Sequence, residues 1–225
     1  MAGGNWTAQN KVRPGIYINF TSRGGGSLTP GQRGTLAACK ALSWGPVGEI
    51  MTIHAGDSLK PFTGYDITEP QARFLREAFK GTDVSGGPTT VLLYRPQAAG
   101  AAAASASLGE GGVTVTALYP GTRGNDIAVT VTEDVDEAGL FTVATLVDGV
   151  EADSQRAKTP AELVPNSWAA FSKEGALAAT AGVTLTGGAD GTVNAAAYAA
   201  FLEALEPCSF DVLAYDGDDS AVNQA

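Results

Sequence analysis

Hydrophobic and polar positions alternate with period two over residues 12–20, VRPGIYINF, where Ile16, Ile18 and Phe20 interleave with Tyr17 and Asn19. That is the pattern of a half-buried strand. The flanking stretches, MAGGNWTAQN and TSRGGGS, are polar and glycine-rich, so no hairpin partner is at hand. A strand in this position must borrow a sheet edge from elsewhere, and another copy of the chain is the natural donor. Residues 1–27 therefore read as a flexible N-terminal arm. Its inter-subunit segment is Val12, Arg13, Pro14, Gly15, Ile16, Tyr17, Ile18, Asn19 and Phe20.

Behind the arm, residues 28–96 read as a small α/β unit. Strands are predicted at 49–54 and 89–94. Between them Thr68, Glu69, Pro70 and Gln71 form a capping box that opens a helix over 68–80, with Phe74, Leu75, Ala78 and Phe79 on one stripe. Strand, helix, strand predicts a parallel crossover. Residues 97–110, beginning QAAGAAAASAS, show no amphipathic stripe and read as an Ala-rich linker.

From 111 to 187 short β-segments follow one another, at 113–117, 127–132, 140–147, 150–155, 168–172 and 183–185, with turns at PGTRGND, DEAG and DG. Asp148-Gly149 is a two-residue hairpin signal, and Thr159, Pro160, Ala161 and Glu162 mark a short inserted helix. This spacing predicts an antiparallel β-sandwich. Over 188–225, Asn194 caps a predicted helix with Tyr198, Phe201, Leu202 and Leu205 on its stripe, and 210–214 reads as a buried strand. A helix followed by an apolar strand predicts the start of a parallel sheet whose other strands lie elsewhere.

Charge changes the picture in one respect. Residues 1–48 carry five basic side chains and no acidic one, while the remainder carries nine basic against 24 acidic, so a +5 head sits on a −15 body. An acidic body does not suit phosphate neutralisation, and nucleic acid is not an expected partner; an acidic neighbouring subunit is. No apolar run approaches a membrane span, so membrane insertion is not expected. The N-terminus lacks the apolar core of a secretory signal, so synthesis in the cytoplasm is expected. Cys39 and Cys208 form no CxxC and read as two buried thiols.

Candidate chemistry is sparse. His54 is the one histidine, so a Ser-His-Asp arrangement or a His-rich metal site would have to run through it; a hydrogen-bonded structural role is expected instead. GGADG at 187–191 precedes a helix but lacks the Lys-Ser/Thr of a phosphate loop, and DGDDS at 216–220 lacks the distal Glu of a calcium loop. Both read as turns. The chain is read as a non-enzyme with no catalytic residue, cofactor or metal. Trp6 reads as a side chain that anchors the arm on a partner, whereas Arg123 in PGTRGND is expected to shape a corner and to meet a nearby carboxylate.

Three features in this order, VRPGIYINF followed by glycines, PGTRGND at 120–126 and LTGGADG at 185–191 before an amphipathic helix, resemble the tail sheath protein of contractile bacteriophages and phage-tail-like particles. The resemblance implies an α+β fold: extended arm, small α/β unit, antiparallel β-sandwich, and the beginning of a subtilisin-like α/β domain. It also implies a structural subunit that polymerises around a tail tube and contracts to drive it through a cell envelope. The implied partners are other copies of the chain, the tail tube protein, and baseplate and tail terminator proteins. The implied location is the virion or phage-tail-like particle, after synthesis in a bacterial host. Family members extend well past the position matching Ala225, so the chain is expected to be an N-terminal portion. The competing expectation is a monomeric β-sandwich that binds a ligand, such as a carbohydrate, on its loops.

Overall fold

The computed structural model describes residues 34–81, 86–109 and 112–215. The arm segment 12–20, Trp6 and the acidic loop at 216–220 lie outside the described residues.

The first sheet is opened by a strand with no period-two signal, β1 (Thr35–Cys39), whose sequence is TLAAC. It lies parallel to β3 (Thr90–Tyr94), while β2 (Ile50–His54) runs antiparallel along the other side of β3. The parallel crossover expected between the strands at 49–54 and 89–94 is not formed: those two are antiparallel neighbours, and the parallel partner of β3 is β1, which no periodicity marked. Small side chains hide β1 from a pattern search, yet they suit a strand covered on both faces. Ala38 belongs to a core with Ile53, Leu75, Val91 and Leu93, whereas Ala37 and Cys39 face a second core with Phe201 and Leu205. Central β3 is buried at Val91, Leu92, Leu93 and Tyr94 without alternation, as a strand sandwiched between two layers should be.

Helices cover both faces. On one side, α1 (Lys60–Thr63) is followed by a 3-10 turn at Pro70–Ala72 and by α2 (Arg73–Lys80). The predicted capping box is not formed as read. Asp66 accepts the Thr68 amide at 3.1 Å and its hydroxyl at 3.0 Å, and the Asp66 amide bonds Glu69 at 2.8 Å. An aspartate two residues upstream captures the threonine in an Asx turn, and the regular helix starts only after Pro70. On the other side lies the later helix Ala195–Leu205, whose cap is as read: the Asn194 side chain accepts the Ala197 amide at 3.1 Å.

Residues 98–108, expected as a linker, are structured. β4 (Ala98–Ala99) pairs with a strand at Thr192–Val193, and β5 (Ser105–Leu108) pairs with β6 (Val113–Ala117). Ala104 is fully buried, and a Cβ placed on Gly124 or Gly188 would stand 2.9 or 3.2 Å from its methyl. The alanine run is small because backbones approach closely there.

The sandwich packs two antiparallel sheets. In one, β5 and β6 are joined by β10 (Ala169–Phe171); in the other, β7 (Ile127–Glu133), β8 (Phe141–Val147) and β9 (Val150–Ala157) form a meander flanked by β11 (Thr180–Thr184). Asp148 at φ 54° and Gly149 at φ 77° make the tight turn between β8 and β9, the positive-φ pair that a primed two-residue hairpin requires. Inward positions Val113, Val115, Ile127, Val129, Val131 and Val143 form the centre of the core; each large side chain so buried contributes roughly 1.5–3 kcal/mol. Pro160–Glu162 is a single 3-10 turn rather than a helix. The Thr159 hydroxyl bonds the Glu162 carboxylate, which also accepts the Lys158 amide.

The strand Thr192–Val193 is β12, the helix Ala195–Leu205 is α3, and the chain then enters β13 (Val212–Tyr215), parallel to β1 on its free side. The strands that the C-terminal segment required are thus β1 and β3, and the sandwich is inserted between β3 and α3 of a single α/β unit. The Asp211 carboxylate accepts the Thr35 amide at 2.7 Å and fixes the register of β13. Among the described residues, β13 is an edge strand with Val212 and Leu213 exposed at 58% and 46%.

Candidate functional site

Residues 12–20, expected to join one subunit to the next, are not among the described residues. The structure does place the other two motifs, PGTRGND and LTGGADG, and brings them together where the sandwich meets the α/β unit. Thr122 donates its amide and hydroxyl to Asp190 at 2.7 and 2.9 Å. The Asn125 side chain pairs with both the carbonyl and the amide of Gly188, at 3.0 and 2.9 Å. Gly121, at φ 133°, lies so close to the α/β unit that a Cβ would fall 2.1 Å from the Ser43 carbonyl oxygen. Two glycine-rich turns, 60 and more residues apart, therefore close on each other. Asp190 is occupied by backbone and hydroxyl donors, which is the structural role read for GGADG.

Arg123 is 2% exposed. Its Nε donates to the Gly64 carbonyl at 3.0 Å, Nη1 to Asp126 and Asp148 at 3.0 and 2.7 Å, and Nη2 to the second Asp148 oxygen at 2.5 Å. The guanidinium lies 4.4 Å from the centre of the Tyr65 ring, within cation–π range. Burial disfavours its charge, but the hydrogen bonds it donates to Asp148 and Asp126 outweigh that and raise its pKa. In turn, the Arg123 hydrogen bond holds the Asp148 carboxyl below the ordinary carboxylate range. The carboxylate expected beside Arg123 is present twice; the reach across to Gly64 and Tyr65 was not legible.

Two further side chains cross the same joint. Arg95, also 2% exposed, donates to the Gly45 carbonyl and to the Pro120 carbonyl, both at 2.7 Å. Burial lowers its pKa, partly offset by Asp190. Trp44, 1% exposed, leaves the α/β unit and enters the sandwich core, its ring 4.9 Å from Trp168 and 5.3 Å from Tyr119. Beside them opens a groove of about 750 Å³ lined by Lys40, Ser43, Tyr65, Arg95, Tyr119 and Asp190, among others.

The site offers shape and hydrogen bonding, with little chemistry. His54 is exposed; its Nδ1 lies 3.2 Å from the Thr90 hydroxyl, and its amide bonds Asp57. Among the described residues, no cluster of three or more His, Cys, Asp or Glu side chains is placed to hold a metal, and no helix is long and apolar enough to cross a membrane. Cys39, buried, and Cys208, half-buried, are not joined in a disulfide.

The two units match the same family separately. A family model described as phage tail sheath protein beta-sandwich domain matches residues 98–190, and one described as tail sheath protein Gp18 domain III N-terminal region matches 33–95. The chain is 38% identical to the Bacillus subtilis protein YqbK, over 98% of this chain and 49% of the relative. It is 35% identical to the phage-like element PBSX protein XkdK of the same organism, over 95% and 48%. Among solved structures, the sheath tail protein of Desulfitobacterium hafniense superposes with a TM-score of 0.76 at 40% identity, over 93% of this chain and 47% of that one. The sheath tail protein of Listeria innocua gives 0.74 at 31%, over 86% and 43%. The chain thus spans about half the length of these relatives. With an α/β unit, an inserted sandwich and sheath-type matches to each, it belongs to the phage tail sheath protein family.

Proposed function

We propose that this chain works as a structural subunit of a contractile phage-tail-like sheath, polymerising around a tail tube and shortening to drive that tube through a cell envelope. The observation that carries the reading is the pair of sheath-domain matches, 33–95 and 98–190, on the two units of one fold. The arm is the connecting element: Val12 to Phe20 adds a strand to a neighbouring copy, and its basic residues steer it toward an acidic body. Free energy for contraction is then stored in interfaces between copies, with no catalytic step. Tube, baseplate and terminator proteins are the remaining partners, and the assembled tail is the location. The monomeric ligand-binding sandwich is disfavoured by the α/β unit, which a binding module would not need and which matches a sheath domain of its own.

Deletion of residues 1–23 in a full-length sheath context tests this. Negative-stain images should show folded subunits but no tubes. Normal polymerisation and contraction without those residues would sink the arm's role. A wild-type protein that stays monomeric alongside its tube protein would sink the reading as a whole.

A further inference from the structure

The covalent joint between the two units is slight. The chain crosses it twice, and the crossings pair as a narrow ribbon whose regular ladder is two residue pairs, Ala98 with Val193 and Ala99 with Thr192, followed on the sandwich side by single bridges at Ala102–Ala189 and Ser105–Thr186. So short a ribbon is marginal by itself and would serve as a hinge. Side chains cross the joint in both directions: Trp44 from the α/β unit into the sandwich core, Lys60 to 5.8 Å from the Trp168 ring, Arg95 to the Pro120 carbonyl, and Arg123 from the sandwich to the Gly64 carbonyl and the Tyr65 ring.

From this geometry we infer that Arg123 is a latch that locks the sandwich to the α/β unit, so that the two move and unfold as one body and the β4–β12 ribbon does not act as a hinge. Of these, Arg123 is the one that ties four groups at once. Its inner end holds Gly64 and Tyr65, and its outer fork grips Asp126 and Asp148, whose side chains are half-exposed at 49% and 50%. The planar fork is needed for this geometry, because a lysine ammonium cannot reach the Gly64 carbonyl and both Asp148 oxygens together. Arg123 is therefore a positioning residue, acting through the joint. The inference does not depend on how the lattice contracts.

The 225-residue chain reports on the joint through its own tryptophans, since Trp44 and Trp168 stack at 4.9 Å there. In the wild type, tryptophan fluorescence and far-ultraviolet circular dichroism should melt in one coincident transition. In Arg123→Ala the fluorescence transition should separate to lower temperature while β-structure persists. Elastase, which cuts after small residues such as Ala99 and Val193, should cleave the ribbon roughly tenfold faster or more, because cleavage tracks the open population. Arg123→Lys should restore neither property. If Arg123→Ala fails to fold, Asp148→Asn is read by the same two measurements and should show a smaller separation. Coincident melting with unchanged cleavage, in whichever variant folds, would overturn the latch.

Discussion

At the scale of single residues, Arg123 and Asp148 link charge to stability. Asp148 has a folded-state pKa held below its ordinary value, first by the Arg123 hydrogen bond. A depressed carboxylate contributes stability that is present above the unfolded pKa and lost as pH falls through the folded one. Melting temperature should therefore decline as pH drops below about 4, the unfolded aspartate value, and Asp148→Asn should flatten part of that decline. A pH series of thermal melts checks it; an unchanged acid slope in Asp148→Asn would assign the loss to other carboxylates. The glycines make a second test. Gly121→Ala drives a Cβ to 2.1 Å from the Ser43 oxygen at φ 133°, and should cost more than about 2 kcal/mol once backbone strain and clash are combined. Gly139→Ala has φ 79° but nothing within 4 Å, so it should cost about 1–2 kcal/mol. Urea midpoints of the two variants decide the order.

At the scale of elements, what was legible followed from local chemistry. The Asp148-Gly149 hairpin, the meander of β7 to β9 and the Asn194 cap each rest on residues a few positions apart. Asn194→Ala should cost about 1 kcal/mol, read as a loss of stability with α3 still present by circular dichroism; a neutral effect would mean the cap is replaced by water. The illegible elements depended on distant partners. β1 carries TLAAC and becomes a strand because β3 and β13 flank it. The alanine run at 98–108 looked like a connector because its reason for being small, the approach of Gly124 and Gly188, lies 20 and more residues away. Thr68 failed as a cap because Asp66 competes for it.

At the scale of the molecule, charge is divided along the chain: residues 98–190 hold four basic against 12 acidic side chains, while the head is wholly basic. If the arm docks on a neighbour as proposed, Lys11→Glu with Arg13→Glu should weaken assembly less than deletion of the arm. It should do so more at low salt than at high, because exposed pairs are screened beyond roughly a Debye length. Light scattering across a salt series measures this, and a salt-independent defect would point to lost packing instead of lost steering.

The sequence by itself determined much of the inventory: the strands that carry their own alternation, which stripes are apolar, where Asp148-Gly149 turns and Asn194 caps the chain, and, through the order of its motifs, the family. Those are properties of neighbours in the chain, and local sterics and periodicity write them directly. Tertiary structure decided the pairings. It made β13 a neighbour of β1, so that two segments read as separate became one sheet with a sandwich inserted. It closed PGTRGND on LTGGADG, and it carried Trp44, Arg95 and Arg123 across the joint. Sheet order and a buried guanidinium's partners are set by contacts between residues tens of positions apart, and no local pattern encodes which distant carbonyl a side chain will meet.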